Sequence, residues 1–319
     1  MSSRATGILA LFISLTLCYR SHAQGHSIHK DLISPGFALP DSLYEYSMTY
    51  LTVDNLIVLP FVINGNVTAN LILDTGCQSL ILFGKQYEKM FDIVPDFNVT
   101  FSGIGTGKPA VGSVTLDNTV TLGPVKREKV PIVIVSGKKF LHRHLQVDGL
   151  IGYDLFTRFE IEIHPLRQQI IFRTPHNRTL PPDYHHIPLN LDHHRPVVSA
   201  SFTLPEKEET LDMLVDTGSS LSILLTTSDK KRLPSKAARK MLGMGLNGFI
   251  MGSNSIAKFV QLNDYTATNV PVSTTYSALH NHASVGMAFL KNYSIIINYL
   301  RGYIGLRPPE EEVVAEEIL

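Results

Sequence analysis

Asn70-Leu71-Ile72-Leu73-Asp74-Thr75-Gly76-Cys77 and Asp212-Met213-Leu214-Val215-Asp216-Thr217-Gly218-Ser219 are two versions of one pattern, 142 residues apart. In each, a short apolar run stops at Asp-Thr-Gly, which reads as a buried strand entering a tight turn. Average residue usage would produce such a tripeptide by chance about 0.1 times in a chain of this length.

Working outward, further landmarks recur in the same order. Gly103-Ile104-Gly105 matches Gly243-Met244-Gly245, and Val130-Pro131 matches Val270-Pro271, both at an offset of 140. Leu150-Ile151-Gly152 matches Ser284-Val285-Gly286 at an offset of 134. From there Phe159, Ile161, Ile163, Arg167, Ile170 and Arg173 align without a gap with Tyr293, Ile295, Ile297, Arg301, Ile304 and Arg307. The change of offset requires a six-residue insertion in the first copy, placed around Lys138 to Gln146. The chain is therefore two copies of one unit.

Each copy reads as mostly β. Val130 to Val135 is rich in β-branched residues, and Asn64-Gly65-Asn66 is hairpin punctuation. Short helices are expected at Gly84 to Phe91, Tyr153 to Thr157 and Ser235 to Met241. The 319 residues carry 44% hydrophobic side chains and equal numbers of acidic and basic ones, 28 of each. That composition excludes general disorder and gives no electrostatic case for a nucleic-acid partner.

The ends and the join read differently from the two copies. Arg4 followed by the apolar run Ile8 to Cys18, with Ser21-His22-Ala23 before Gln24, has the form of a signal peptide over residues 1–23. Export to the periplasm or the exterior is expected, with no membrane span left after signal removal. Residues 24–44 form a lead or propeptide, 45–175 the first lobe, 176–195 a linker, 196–307 the second lobe and 308–319 an acidic tail. The linker holds His185, His186, His193 and His194 among prolines. Adjacent histidines on an extended chain point in opposite directions, so a solvated linker is expected rather than a metal site. With Cys18 in the signal, Cys77 has no disulfide partner.

The duplicated Asp-Thr-Gly has a chemical rationale if the copies face each other across a pseudo-twofold axis. Asp74 and Asp216 would then lie within hydrogen-bond distance, share a proton, and act on a bound water as base and acid. Gly76 and Gly218 would turn backbone N–H groups toward the carboxylates, and Thr75 and Thr217 would bond across the axis. The Ser219 hydroxyl is placed to bond Asp216, a role Cys77 fills poorly for Asp74. A Cys77 nucleophile lacks a recognisable base. The Gly-x-Gly-x-x-Gly pattern at Gly243 to Gly248 lacks the βαβ setting of a dinucleotide site.

On these residues the chain resembles the aspartic peptidases, pepsin-like and retropepsin-like, in a single-chain two-lobe form. The resemblance implies two homologous β-barrel lobes with an active-site cleft between them. It implies catalytic roles for Asp74 and Asp216, and support from Thr75, Gly76, Thr217, Gly218 and Ser219. Asp148-Gly149-Leu150-Ile151-Gly152 fits the family's apolar-apolar-Gly segment well, and Ala283-Ser284-Val285-Gly286 fits it loosely. Gly103, Ile104 and Gly105, with Gly243, Met244 and Gly245, resemble retropepsin flaps that close over substrate, one per lobe. The implied partner is an extended peptide or protein, cleaved without metal or cofactor by a monomer that is an internal pseudo-dimer. The alternative reading is an inactive or weakly active peptide-binding module on the same fold.

Overall fold

The computed structural model describes residues 15–16 and 36–309, apart from 106, 137–145, 175–178, 205–206, 230, 232, 234–237, 247 and 278–282. The expected insertion, most of the signal and most of the acidic tail therefore lie outside the described residues.

Each half closes a ring of six strands. In the first, Ala110–Leu122, Val125–Val135, Leu80–Phe83, Gly149–Ile151, Val67–Leu73 and Leu56–Ile63 pair in that order, and Leu56–Ile63 pairs back onto Ala110–Leu122. In the second, the ring is Arg195–Leu204, Lys207–Asp216, Ala283–Gly286, Ile223–Thr227, Tyr265–Tyr276 and Gly248–Leu262, closed by the pairing of Gly248–Leu262 with Arg195–Leu204. Closure leaves no edge within the ring. The Asn64-Gly65 turn has the two positive φ angles, 51° and 74°, that a tight hairpin demands.

A third sheet joins the halves with three strands from each. Its centre is Glu160–His164 antiparallel to Ser294–Asn298, with Ile161 opposite Ile297, Glu162 opposite Ile296 and Ile163 opposite Ile295. The repeat offset of 134 carries Ile161 to Ile295 and Ile163 to Ile297, so the axis passes between Glu162 and Ile296. Two buried carboxylates lie here, and both are partnered, as burial requires. Glu160 accepts from Asn298 Nδ2 at 2.8 Å and Tyr303 OH at 2.6 Å. Glu162 pairs with Arg173 and accepts from Tyr184 OH at 2.9 Å.

The expected linker is largely structural. His185–Pro188 is an edge strand of the shared sheet, paired with Tyr303–Arg307, and Asn190–Asp192 opens the second lobe. His193 and His194, at φ 47° and 66°, form the hairpin turn between Asn190–Asp192 and Arg195–Leu204. Ile187 and Leu189 are buried, too few apolar positions to show a strand period in the sequence. Pro188 is tolerated because it stands on an edge.

The N-terminal lead also joins the fold. Phe37 is buried and Ala38 exchanges two 3.0 Å backbone bonds with Lys126, so the first lobe begins before residue 45.

The helices expected near 84–91 and 153–157 form as Lys85–Glu88 and Tyr153–Phe156. The one expected at Ser235 to Met241 is corrected at its end, where Lys240 and Met241 belong to the strand Lys240–Gly245; 235–237 lie outside the described residues. Pairing with Gly248–Leu262 overrides the helix preference of Lys240 and Met241. Among the described residues a further helix is Met287–Leu290, the counterpart of Tyr153–Phe156. No described helix is long and apolar enough to cross a membrane.

Candidate active site

Both Asp-Thr-Gly turns sit at the ends of buried strands that meet at the axis. Val67–Leu73 ends at Asp74, and Gly149–Ile151 threads between it, in parallel, and Leu80–Phe83, antiparallel. Lys207–Asp216 carries Asp216, with Ala283–Gly286 threaded in the same way against Ile223–Thr227. The loose sequence match at Ala283 to Gly286 thus occupies the same topological place as its stronger twin.

The threonines lock the two turns together. Thr75 N–H donates to Thr217 Oγ1 and Thr217 N–H to Thr75 Oγ1, each at 3.0 Å. The hydroxyls in turn donate across the axis, Thr75 to Val215 O at 2.6 Å and Thr217 to Leu73 O at 2.7 Å. Thr217→Val removes one hydroxyl and leaves a buried N–H and a buried C=O unpaired. We expect it to cost about 3 kcal/mol in denaturant unfolding, and Thr217→Ser less than about 1 kcal/mol.

Asp74 and Asp216 are fully buried. Gly76 N–H donates to Asp74 Oδ1 at 2.8 Å, and Gly218 N–H to Asp216 Oδ1 at 3.0 Å. Each Oδ2 has no hydrogen-bond partner among the described residues. The Asp74 carboxyl lies against the opposite turn: a Cβ on Gly218 would stand 2.4 Å from Asp74 Cγ. Burial pushes both carboxyls well above the ordinary carboxylate range. For Asp216 the neighbouring Asp74 charge pushes the same way, and the Gly218 N–H and Arg195 oppose it.

The residues after the glycines behave differently from expectation. Ser219 turns its hydroxyl to the Leu221 N–H at 3.4 Å, leaving Asp216 Oδ2 unpartnered. Cys77 Sγ donates to Ser79 O at 2.8 Å, and burial followed by the Asp74 charge pushes its thiol well up. Burial and the bond to Ser79 O both favour the neutral thiol, which argues against a nucleophile here. The inequivalence expected from Cys and Ser at these positions does not pass through their side chains, because neither bonds a carboxylate.

Sequence reading missed several supports. Tyr299 is buried, donates to Thr75 O at 3.1 Å and stacks on Phe156 at 5.2 Å. A hairpin tip from each half also reaches the region of the opposite Asp-Thr-Gly turn. Asn55 Nδ2 donates to Ser220 O at 3.3 Å and its Oδ1 accepts from Lys291 at 2.9 Å. His193 O accepts from Gln78 Nε2 at 2.6 Å, and His194 Nδ1 meets Tyr153 OH at 2.9 Å. Asp54-Asn55 and His193-His194 both carry paired positive φ angles, a turn signal visible in the first pair and hidden in the second. Among the described residues, no three His, Cys, Asp or Glu side chains gather as a metal site.

Both flap candidates stand on β-hairpins. Ile93–Gly103 and Ala110–Leu122 form the first, and Ile104 at its tip packs on Leu224, Leu242 and Ile250 of the second lobe. Lys240–Gly245 and Gly248–Leu262 form the second. Its buried tip residue is Leu246, 1% exposed, whereas Met244 lies within the strand and is half-buried. Gly103 and Gly245 each end a strand, so the structural match is Ile104 with Leu246, at the 142-residue offset of the Asp-Thr-Gly turns. Matching Gly-x-Gly to Gly-x-Gly set the second flap two residues off.

A family model described as aspartyl protease matches residues 59–155 and 200–289, more than half of the chain. Curated proteins give no significant match. The matched segments contain the two Asp-Thr-Gly turns, both apolar-Gly strands and both flap-candidate hairpins, one set in each lobe, and the chain belongs to the aspartyl protease family.

Proposed function

We propose that the chain is an aspartic endopeptidase in which Asp74 and Asp216 jointly activate a water molecule. The observation that carries this reading is the pair of buried, abutting carboxylates whose Oδ2 atoms are unpartnered. Two such groups cannot both ionise cheaply, so one keeps a proton. The ionised partner removes a proton from water as its oxygen attacks the peptide carbon. The protonated partner gives its proton to the carbonyl oxygen. In the collapse of the resulting gem-diol one hydroxyl returns its proton to that second carboxylate, the C–N bond breaks, and the amine leaves with the proton taken from water.

The substrate is an extended chain lying beneath the flaps, bonded through its backbone as an added strand is. The reading includes export under a signal over residues 1–23 and action as a monomer, since the internal twofold supplies both carboxylates.

Digestion of an unfolded protein across pH, with and without pepstatin, tests the function. With Asp74 pushed up to about 7, the singly protonated pair is favoured toward neutral pH. Cleavage is therefore expected to be weak near pH 4 and to rise toward pH 7. Maximal cleavage in strong acid would contradict the electrostatics of the pair. Binding of peptides with no turnover at any pH would replace the enzyme with a binding module.

A further inference from the structure

The two lobes differ where the cleft wall meets the dyad, and the difference is chemical. In the first lobe Leu56, Val58, Ile72, Ile81 and Leu150 are all at most 2% exposed and fill that region with hydrocarbon. Strand pairing identifies their counterparts. Val58–Ile72 corresponds to Val197–Leu214, Ile72–Leu150 to Leu214–Ser284, and Ile81–Leu150 to Leu224–Ser284. Leu56 closes a hairpin opposite Val53 just as Arg195 closes one opposite Asp192. Two apolar residues are thus replaced by polar ones, Leu56 by Arg195 and Leu150 by the smaller Ser284.

The result is a cavity of about 220 Å³, walled by Val197, Leu214 and Leu224, with Ile104 of the flap over it. Arg195, Asp192, Asp212, Thr226 and Ser284 supply its polar surface. Alternation along Lys207–Asp216 puts Asp212, Leu214 and Asp216 on one face, so the cavity lies along the face that bears the dyad.

The Arg195 side chain is only 12% exposed; among the described residues the ion pair it makes is with Asp192, at 3.8 Å, and its charge also reaches Asp216 of the dyad. The separation from Asp192 exceeds hydrogen-bond length, and Asp192 itself is 61% exposed. Asp212 is exposed as well. The carboxylates at the rim are screened by water, while the guanidinium faces the cavity from low dielectric with planar donors suited to a carboxylate.

We propose that this cavity takes a substrate side chain ending in a carboxylate, held by Arg195, and so gives the peptidase a preference for an acidic residue close to the scissile bond on the second-lobe side. The apolar walls hold the methylene stem, and Ile104 covers the side chain once the flap is down. The inference rests on the proteolytic reading above for its context, and its test is separable from it.

The experiment measures both binding and cleavage on the mature chain. The binding probes are uncleavable hydroxyethylene peptides carrying Glu, Gln, Leu or Lys in turn at each position flanking the isostere. The cleavage probes are the corresponding peptides. Glu is expected to exceed Gln and Leu by about tenfold or more at one position. Arg195→Leu, which installs the first-lobe residue, is expected to erase that preference, and Arg195→Glu to turn it toward Lys, a reversal that loss of structure would not produce. If a variant fails to fold, the wild-type ranking still decides. Leu or Lys favoured over Glu at every position, or a Glu preference that survives Arg195→Leu, overturns the proposal. Glu-selective binding without cleavage would keep the pocket and discard the dyad mechanism, whereas cleavage without Glu selectivity would do the opposite. No binding of any peptide would overturn both.

Discussion

Asp216→Asn, like Asp74→Asn, is expected to lower peptide hydrolysis by about 10⁴-fold while leaving the chain folded. The same substitution is expected to stabilise the protein at neutral pH. Both carboxyls are buried and titrate above the ordinary range, so the folded chain holds protons that the unfolded chain has lost. For Asp74 the change is from 3.8 to about 7. Stability from this source is complete below the unfolded value and is lost as pH rises through the folded one, at about 1.4 kcal/mol per pH unit for each proton. Asparagine cannot ionise, and its amide can donate to the facing Oδ2. Thermal melts at pH 4 and pH 8 should show the variant gaining on the wild type as pH rises. A wild type that gains on the variant instead, or a variant that still cleaves at full rate, would remove the dyad.

Why the dyad was legible and its surroundings were not follows from where the information is stored. Asp-Thr-Gly is a local signal, because turn, carboxylate and hydroxyl are contiguous and each is chemically constrained. Its duplication announced the twofold, which the Ile161–Ile297 register then realises. The Gly149–Ile151 strand was readable because consecutive buried apolar residues end at a glycine. Ala283 to Gly286 carries a serine in that place and read poorly, although the parallel pairing with Lys207–Asp216 is the same.

What failed depended on long-range contact. Tyr299 lies 224 residues from the Thr75 carbonyl it bonds, and no local pattern marks it. The strand His185–Pro188 owes its existence to the unpaired edge of Tyr303–Arg307, not to its own composition. Lys240 and Met241 have helical preferences that the flap hairpin overrides. The flap tip was misplaced because glycines repeat at short spacing. The strand end and the buried side chain, Leu246, fix the register, and neither is visible in the sequence.

The second large effect separates the glycines by what a methyl group would strike. A Cβ on Gly152 would stand 1.6 Å from the Asp74 carbonyl oxygen and 3.2 Å from that of Cys77. Gly152 has a φ of −163°, outside the left-handed region, and the space that a Cβ would need is the constraint these distances set. Both obstacles are main chain inside a closed ring of strands and cannot rotate away. Gly152→Ala is expected to cost more than about 4 kcal/mol and to unfold the first lobe or leave it insoluble. Gly286→Ala meets Leu221 O at 2.5 Å and Ser219 O at 2.7 Å, a milder overlap, and should cost about 2–3 kcal/mol. Gly218→Ala differs in kind, because its methyl strikes the Asp74 carboxyl at 2.4–2.9 Å, a side chain that can turn. That variant should fold at a cost of about 1–2 kcal/mol, for the Gly76 N–H bond that a turned carboxyl gives up, and lose hydrolysis, since the displaced carboxyl no longer faces Asp216. Denaturant unfolding and cleavage assays on the three alanine variants check this ordering. A stable, active Gly152→Ala protein would mean that the Gly149–Ile151 strand does not pass behind the Asp74 turn, and the support for the dyad would have to be sought elsewhere.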